Sequence, residues 1–532
     1  MQKALEMGKK SATGSFQLFI GVAASTIIMA IGTIILARLM TPEEYGLYSI
    51  ALVPSYMAIL FRDWGVNSAI TKYVASTRAE NKEENAYEIV VSGMLFEAAT
   101  GLFLSIILVS LSNFIALTVF QRPEATFLIM ITSITIFSGA LLTAAQSSFV
   151  GFERMELNSL TNICQAIVKT VASPILVFVG YSALGATLGY TISFVAAAMI
   201  GLAILYLTTI RRLKRKNPQK ISITQTLKKM LCYGVPLSVA SIISGFLVQF
   251  YAFLMAIYCT DAMIGNYQVA TQFATLLTFF TIPISTVLFP VFSKINPQDE
   301  HELLQTVFTS SVKYTAILLI PATMAVMALS KPMIGTLFGE KWEYAPFFLT
   351  LNVISYLLAI FGSLSLGSLL TGLGKTKIQM KLSLITLIVG VPISLMLIPT
   401  MGIFGLIITS ITAGIPSLCS GLRWIWKTYK AKADIKSSIK IFTASSVAAA
   451  AAFIIINLIT CADWIELTAG GLTFITIYLI IAPTIGAVSQ TDINNLRIMF
   501  SGLGVISKML NIPLAAMEKL SKHYNKIQHF RL

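Results

Sequence analysis

The chain reads as an all-α, polytopic membrane protein with about 14 transmembrane helices, built as two parallel six-helix lobes plus two extra helices. Three observations predict this. Only 11% of its 532 residues are charged while 56% are hydrophobic. Apolar stretches of spanning length recur from residue 14 to residue 488. The basic residues fall almost entirely on one side of those stretches. A soluble domain carries about 25% charged residues, so a water-facing surface could not be covered here and the missing solvent is lipid. Each stretch is close to the roughly 20 residues needed to cross the hydrocarbon. In lipid the backbone must satisfy its own hydrogen bonds, so the spans are helices. The alternation that a β-barrel requires is absent.

At the N-terminus, Lys3, Lys9 and Lys10 precede the apolar run Ser15 to Leu36 with no polar cleavage region after it. It reads as a first span that stays in place. The spans follow at about 14–37, 45–62, 87–111, 125–148, 159–179, 184–207, 229–256, 264–293, 303–330, 345–372, 378–399, 402–425, 438–458 and 467–488. With the N-terminus placed in the cytoplasm, 32 of the 38 Lys and Arg residues lie inside. Four lie outside (Arg38, Arg122, Lys331, Lys341), and Lys169 and Lys313 fall within spans. Such a bias is the positive-inside signature, so both termini are expected in the cytoplasm of a multi-pass plasma-membrane protein. The net charge of +15 follows from that topology and from the anionic lipids it faces. It calls for no nucleic acid.

A repeat sets the lobes. Residues 37–51 lie on residues 256–270 with Ala37, Thr41, Gly46, Tyr48 and Ala51 identical at an offset of 219. Gly151 with Gly372 and Gly185 with Gly405 echo it at 221 and 220. Spans 1 and 7 therefore start two copies of six helices each, an even number that points both copies the same way. Parallel repeats of this kind mark transporters, which hold substrate between their halves. The expected organisation is an N-terminal lobe at 1–210, a cytoplasmic basic linker at 211–228, a C-terminal lobe at 229–430, helices 13 and 14 at 431–488, and a cytoplasmic amphipathic tail at 489–532. In the tail, Met499, Phe500, Leu503, Ile506 and Leu510 are expected to insert at the lipid surface.

Charges within spans are costly and face a protein interior or water. Lys169 lies about twelve residues into span 5, roughly 18 Å deep at 1.5 Å per residue. Lys313 and Glu97 lie about ten residues into spans 9 and 3, roughly 15 Å deep. Arg38, Arg62 and Asp63 end spans, where anchoring by snorkelling competes with a role in a cavity. Gln146, Asn162, Gln165, Gln249, Gln268 and Gln272 either tie helices together or face a polar cargo. Pro54, Pro174, Pro236, Pro283, Pro321, Pro392 and Pro416 sit inside spans and permit kinks. Gly372-Leu-Gly-Lys-Thr376 imitates the end of a phosphate-binding loop. It lacks the required glycine at 369, where Leu stands, and no strand precedes it. Five scattered cysteines and three loop or tail histidines offer no disulfide framework and no metal site. No cofactor is implied.

Leu36-Ala-Arg-Leu-Met-Thr-Pro-Glu-Glu-Tyr-Gly-Leu-Tyr48 resembles the first-loop signature of the polysaccharide-biosynthesis flippases, within the multidrug/oligosaccharidyl-lipid/polysaccharide exporter superfamily. Arg62-Asp-Trp-Gly-Val-Asn-Ser-Ala-Ile-Thr-Lys-Tyr-Val74 is similar to the segment that follows it there. Thr371-Gly-Leu-Gly-Lys-Thr-Lys377 looks like the family's loop before span 11. The resemblance implies a non-enzymatic carrier that moves polyprenyl-(pyro)phosphate-linked oligosaccharides outward by alternating access, in the company of polysaccharide-assembly enzymes. It also implies cavity bases that meet the pyrophosphate. Lys169, Lys313 and Arg38 are the candidates, with Glu97 and Gln249 as further cavity residues and Arg62, Asp63 and Asn67 as structural or gating residues. Bare sugar hydroxyls cost several kcal/mol each in hydrocarbon, so the head group needs a wet path. A drug or cation antiporter of the same superfold would want acidic cavity residues, and only Glu97 qualifies. A membrane glycosyltransferase or ligase would want carboxylates and substantial loops on the outer face; the outer loops here are short and no outer Asp pair is present. The repeat places Glu97 and Lys313 at nearly equivalent positions. They are expected either to pair across the lobes or to find partners within their own lobe.

Overall fold

The computed structural model describes residues 2–80, 83–211, 222–277, 292–297, 299–459, 461–500 and short pieces between 511 and 518. Among these, every regular element is helical. Nine helices are long and apolar enough to span a membrane, or ten if the bent pair Ala345–Phe361 and Ser363–Gly372 (60° apart) is one span. Two of the nine are too long to be single spans. The helical runs Met155–Ile210 and Thr376–Tyr429 hold 56 and 54 residues, roughly 80 Å if straight at 1.5 Å per residue. Each instead breaks at a glycine with positive φ, Gly180 (105°) and Gly402 (58°), and each reads as two spans. The expected span at 264–293 and the 211–220 loop lie partly or mostly outside the described residues, so the count of fourteen is not reached here.

The chain divides into two compact units, 1–265 and 266–532. The first holds α1 (Gln2–Leu39), α2 (Pro42–Leu60), α3 (Val66–Ala79), α4 (Glu83–Phe114), α5 (Ala125–Gly151), α6 (Met155–Leu176), α7 (Ser182–Leu205) and α8 (Ile223–Tyr258), and the start of α9 (Asp261–Ala274). The Thr-Pro-Glu-Glu signature is a helix start. Thr41 Oγ1 accepts from Glu44 N at 3.3 Å, Glu44 Oε2 accepts from Thr41 N at 2.9 Å, and Pro42 needs no partner for a missing N–H. This reciprocal cap satisfies backbone donors that the first turn would leave bare. Small residues bring the helices together, as lipid-embedded bundles require. Ser105 Oγ on α4 donates to Ser133 O on α5 at 2.7 Å, and Thr132 Oγ1 on α5 donates to Ala51 O on α2 at 3.0 Å. Large apolar side chains point outward instead: Phe103, Ile106 and Phe114 on α4 and Met199 on α7 are all exposed. A water-soluble surface would not tolerate such a patch.

One element departs from the sequence reading. The segment after span 2, read as a cytoplasmic loop, contains α3. Val66, Ala69, Ile70 and Val74 are fully buried there in a cluster with Phe149 on α5 and Met230 on α8. The helix at 223–258, expected to open the second lobe, packs here with the helices of the first unit.

The second unit holds α10 (His301–Phe338), α11 (Ala345–Val353), α12 (Ser363–Gly372), α13 (Thr376–Tyr429), α14 (Ile435–Leu458), α15 (Asp463–Thr484) and α16 (Gln490–Phe500). One core joins α10 to α14, α15 and α16. A second joins α10 to α12 and α13. In the tail, Ile493 and Leu496 are fully buried in the first of these cores. That turn of the tail is held by protein; the side chains expected to insert at a lipid surface, Met499, Phe500, Leu503, Ile506 and Leu510, are not among the described side chains. Residues 501–510 lie outside the described residues. The Gly372-to-Thr376 segment is a helix–turn–helix corner with Gly374 at φ 65°, and no strand precedes it.

The repeat is visible in helix boundaries. α1 ends at 39 and α2 starts at 42; α8 ends at 258 and α9 starts at 261, both 219 later. α5 ends at Gly151 and α6 starts at 155; α12 ends at Gly372 and α13 starts at 376, both 221 later. Gly185 and Gly405 each stand just past a hairpin break. A side chain there would collide with the backbone of Leu176 and of Leu397 respectively.

Candidate functional site

The site begins with the polarity of α6. Asn158, Asn162, Gln165 and Lys169 recur at a spacing that puts them on one helical face. Leu160, Ile167, Val171 and Ile175 occupy the opposite face and are exposed. A helix so divided, in an otherwise apolar bundle, has lipid on one side and a polar interior on the other. The amides interlock: Gln146 Nε2 donates to Asn162 Oδ1 at 2.8 Å and to Thr161 Oγ1 at 3.2 Å, and Asn162 Nδ2 donates to Asn158 Oδ1 at 2.9 Å.

Lys169 stands eleven residues beyond Asn158, roughly 16 Å along the helix. It is half-buried and has no ion-pair partner among the described residues. Its ammonium lies 5.2 Å from the centroid of the Tyr190 ring on α7, a cation–π contact that steadies a cation without neutralising it. Tyr190 is held in turn by a hydroxyl–hydroxyl hydrogen bond of 3.1 Å to Tyr56 on α2 and by the Phe194 ring at 5.1 Å. The lysine is thus fixed in place with its charge available.

At the other end of the stripe a cavity of about 450 Å³ is lined by Arg62, Asp63, Asn67, Thr143, Gln146, Asn158 and Ser238, among others. Arg62 was read as either an interfacial anchor or a cavity residue, and the structure decides against the anchor. The side chain is 5% exposed because α2 ends in a turn from which α3 continues. Its Nε lies 3.3 Å from Glu97 Oε2 on α4. Its Nη2 donates to Thr143 Oγ1 at 2.9 Å and its Nη1 to Ile136 O at 3.4 Å. Gly139 leaves the guanidinium room, since a side chain there would press on Nη1. Asn67 Nδ2 donates to Glu97 Oε1 at 3.2 Å, and Asp63 Oδ1 accepts from Asn67 N at 2.9 Å. The three residues named as structural or gating candidates, Arg62, Asp63 and Asn67, therefore meet Glu97 in one cluster.

Other expected site residues fall elsewhere. Lys313 does not present a free charge: its Nζ is 2.6 Å from Asp492 Oδ2, and the carboxylate also accepts from Ser489 N and Oγ at 2.8 and 2.6 Å. Glu97 and Lys313 each find their ion pair within their own unit, the second of the two outcomes left open by the sequence. Arg38 is exposed in the last turn of α1, where a cation favours the helix C-terminus. Gln249 is half-buried on α8 and is not among the residues that line the cavity.

Sequence reasoning missed Tyr56 and Tyr190, since tyrosines are common in spans. It also missed Arg122, counted only as an outer charge. Arg122 pairs with Asp261 and donates to Ala256 O at 2.6 Å, to Cys259 O at 2.5 Å and to Phe120 O at 2.9 Å. It thereby binds the bare carbonyls at the C-terminal end of α8. Beside it, Gly46 abuts the backbone of Asp261 and Gly265 that of Pro42. These are the two glycines that the repeat had aligned.

Residues 11–296 match the model of the family described as polysaccharide biosynthesis protein. The chain is 25% identical over 380 residues to the lipopolysaccharide biosynthesis protein WzxC of Escherichia coli strain K12, covering 69% of this chain and 72% of WzxC. It is 24% identical over 312 residues to the succinoglycan biosynthesis transport protein ExoT of Rhizobium meliloti strain 1021, covering 58% and 59%. Its fold is similar to that of the lipid II flippase MurJ in an inward closed conformation, with a TM-score of 0.68 at 17% identity over 88% of this chain and 99% of that one.

Proposed function

The chain belongs to the polysaccharide biosynthesis protein family, and on that premise we propose that it carries a polyprenyl-(pyro)phosphate-linked oligosaccharide from the cytoplasmic to the outer leaflet by alternating access. The observation that carries the cargo class is Lys169. An intramembrane lysine with no counter-ion is costly unless water or an anionic ligand meets it. Here it stands at the end of a row of amides suited to sugar hydroxyls. The phosphate is held at Lys169, the sugars lie along Asn162 and Gln146, and the lipid tail stays in the bilayer. The chain acts as a carrier and makes or breaks no covalent bond in its cargo. Polysaccharide-assembly enzymes supply the cargo and use it on the far side.

The antiporter reading loses its main residue. Glu97 is fully buried and ion-paired to Arg62, so it offers no surface to an organic cation. Depletion of the protein followed by extraction of lipid-linked sugars tests the proposal. Unmodified lipid-linked oligosaccharide should accumulate on the cytoplasmic face. A normal pool with normal surface glycan would contradict it. The proposed topology, with both termini cytoplasmic, predicts that a cysteine placed at 217 in a cysteine-free background escapes impermeant reagents in intact cells.

A further inference from the structure

Trp64 is out of place by two measures, its backbone and its exposure. Its φ is 43°, a region that a bulky residue adopts only under constraint. The other non-glycine residues with positive φ among those described are Gln121, Glu153, Ser182 and Lys430, all polar. The constraint comes from α8. A side chain on Gly234 would lie 2.6 Å from Trp64 O, and one on Gly65 would strike Gly234 O, so backbone meets backbone where α8 reaches the turn between α2 and α3. Glycine at 64 would ease that turn at no steric cost. Tryptophan, the largest side chain, stands there instead. It does not fill a core: Trp64 is 48% exposed. With its carbonyl packed on Gly234, the free surface belongs to the ring.

Trp64 also lines the cavity of about 450 Å³, and it is the only aromatic among the described lining residues. Beside it stand neutral donors and acceptors, Asn67, Ser68, Thr71, Ser238 and Ser241. The guanidinium of Arg62 is already taken up by Glu97. Ligand pockets combine apolar or aromatic surface with a few placed polar groups. This one matches the two aspects of a sugar ring, whose C–H face is apolar and whose edge carries hydroxyls. An aromatic that only anchors the chain at the membrane interface needs neither a strained backbone nor a polar cavity.

We propose that Trp64 is a stacking platform for one sugar of the cargo. The ring takes the C–H face of the sugar, and the neighbouring amides and hydroxyls take its edge. This rests on the carrier reading and deepens it. The α6 stripe leads from Lys169 to this cavity, so the sugar on Trp64 is one remote from the phosphate. Trp64 thereby selects cargo by its outer sugars, while Lys169 answers to the phosphate that every such cargo carries.

Proteoliposomes of the full chain test this with two probes: the lipid-linked oligosaccharide pool extracted from depleted cells, and the same pool trimmed by glycosidases to its first sugar. Trp64→Gly removes the ring and suits the turn, so it should be at least as stable as wild type. It should raise the apparent KM for the intact pool about tenfold and leave that for the trimmed pool near wild type. Trp64→Phe keeps a ring and should keep most of the preference for the intact pool. Trp64→Leu, which keeps apolar bulk without a ring, carries the test if Trp64→Gly fails to fold. Equal loss with both probes would mark a structural or membrane-anchoring residue and overturn the proposal, as would no loss with either. A wild type that moved neither pool would overturn the carrier reading and this proposal with it.

Discussion

Lys169 and Lys313 are the same residue at similar depth in long apolar helices, and their surroundings give them different work. Lys313 closes on Asp492, whose carboxylate also takes the backbone and hydroxyl of Ser489. Asn495 reaches Tyr314 next to it at 2.8 Å, while Ile493 and Leu496 fill the core below. That lysine locks α16 onto α10. Among the described residues, Lys169 meets the face of Tyr190 and no counter-ion. Neighbouring groups, more than depth, decide whether an intramembrane charge is neutralised within the protein or left available, as the proposed cargo site requires. The deciding group for Lys313 lies 179 residues away in the chain.

The comparison can be broken at either end, and the largest effect belongs to Lys169. Lys169→Gln should slow transport by about thirtyfold to a hundredfold, the equivalent of losing roughly 2–3 kcal/mol of charge-assisted contact. Thermal stability in detergent should stay near wild type. Lys169→Arg should keep part of the activity. The accumulation of lipid-linked oligosaccharide in complemented cells reads both. On the other side, Asp492→Asn should leave Lys313 without its counter-charge and cost about 2 kcal/mol, seen as a lowered unfolding temperature and faster proteolysis at α16. The charge exchange Lys313→Asp with Asp492→Lys should recover part of that loss, because paired charges depart from additivity. Ser489→Ala removes the cap at the start of α16 and should cost about 1 kcal/mol by the same readout. Tyr314→Phe, near the protein surface, should cost only about 0.5 kcal/mol. A Lys313→Gln variant that kept α16 docked and still lost transport would erase the contrast.

Much of the fold was legible because lipid imposes a coarse rule: apolar length and charge bias reveal spans. The offset of 219 was legible because a tight helix–turn–helix corner needs the same Thr and Gly each time. α3 was hidden because Lys72 and Arg78 on its outer side gave the segment the look of a loop. The spacing of Val66, Ala69, Ile70 and Val74 was already helical. Arg62 was ambiguous for a related reason. A charge at the end of an apolar run looks like an anchor unless Glu97, 35 residues on, is known to face it. The site was the least legible part. The stripe on α6 can be read from its period, but the aromatic seat of Lys169 and the partner of Lys313 arise from tertiary contacts that leave no local pattern.

In the proposed mechanism Lys169 acts through an available positive charge. In a background without the five native cysteines, Lys169→Cys can be treated with an aminoethyl thiosulfonate, which restores a cation of similar length, or with a neutral thiosulfonate of the same size. The cationic reagent should restore flipping of lipid-linked oligosaccharide and the neutral one should not. Equal recovery with both reagents, or full activity of the untreated Lys169→Cys protein, would contradict it.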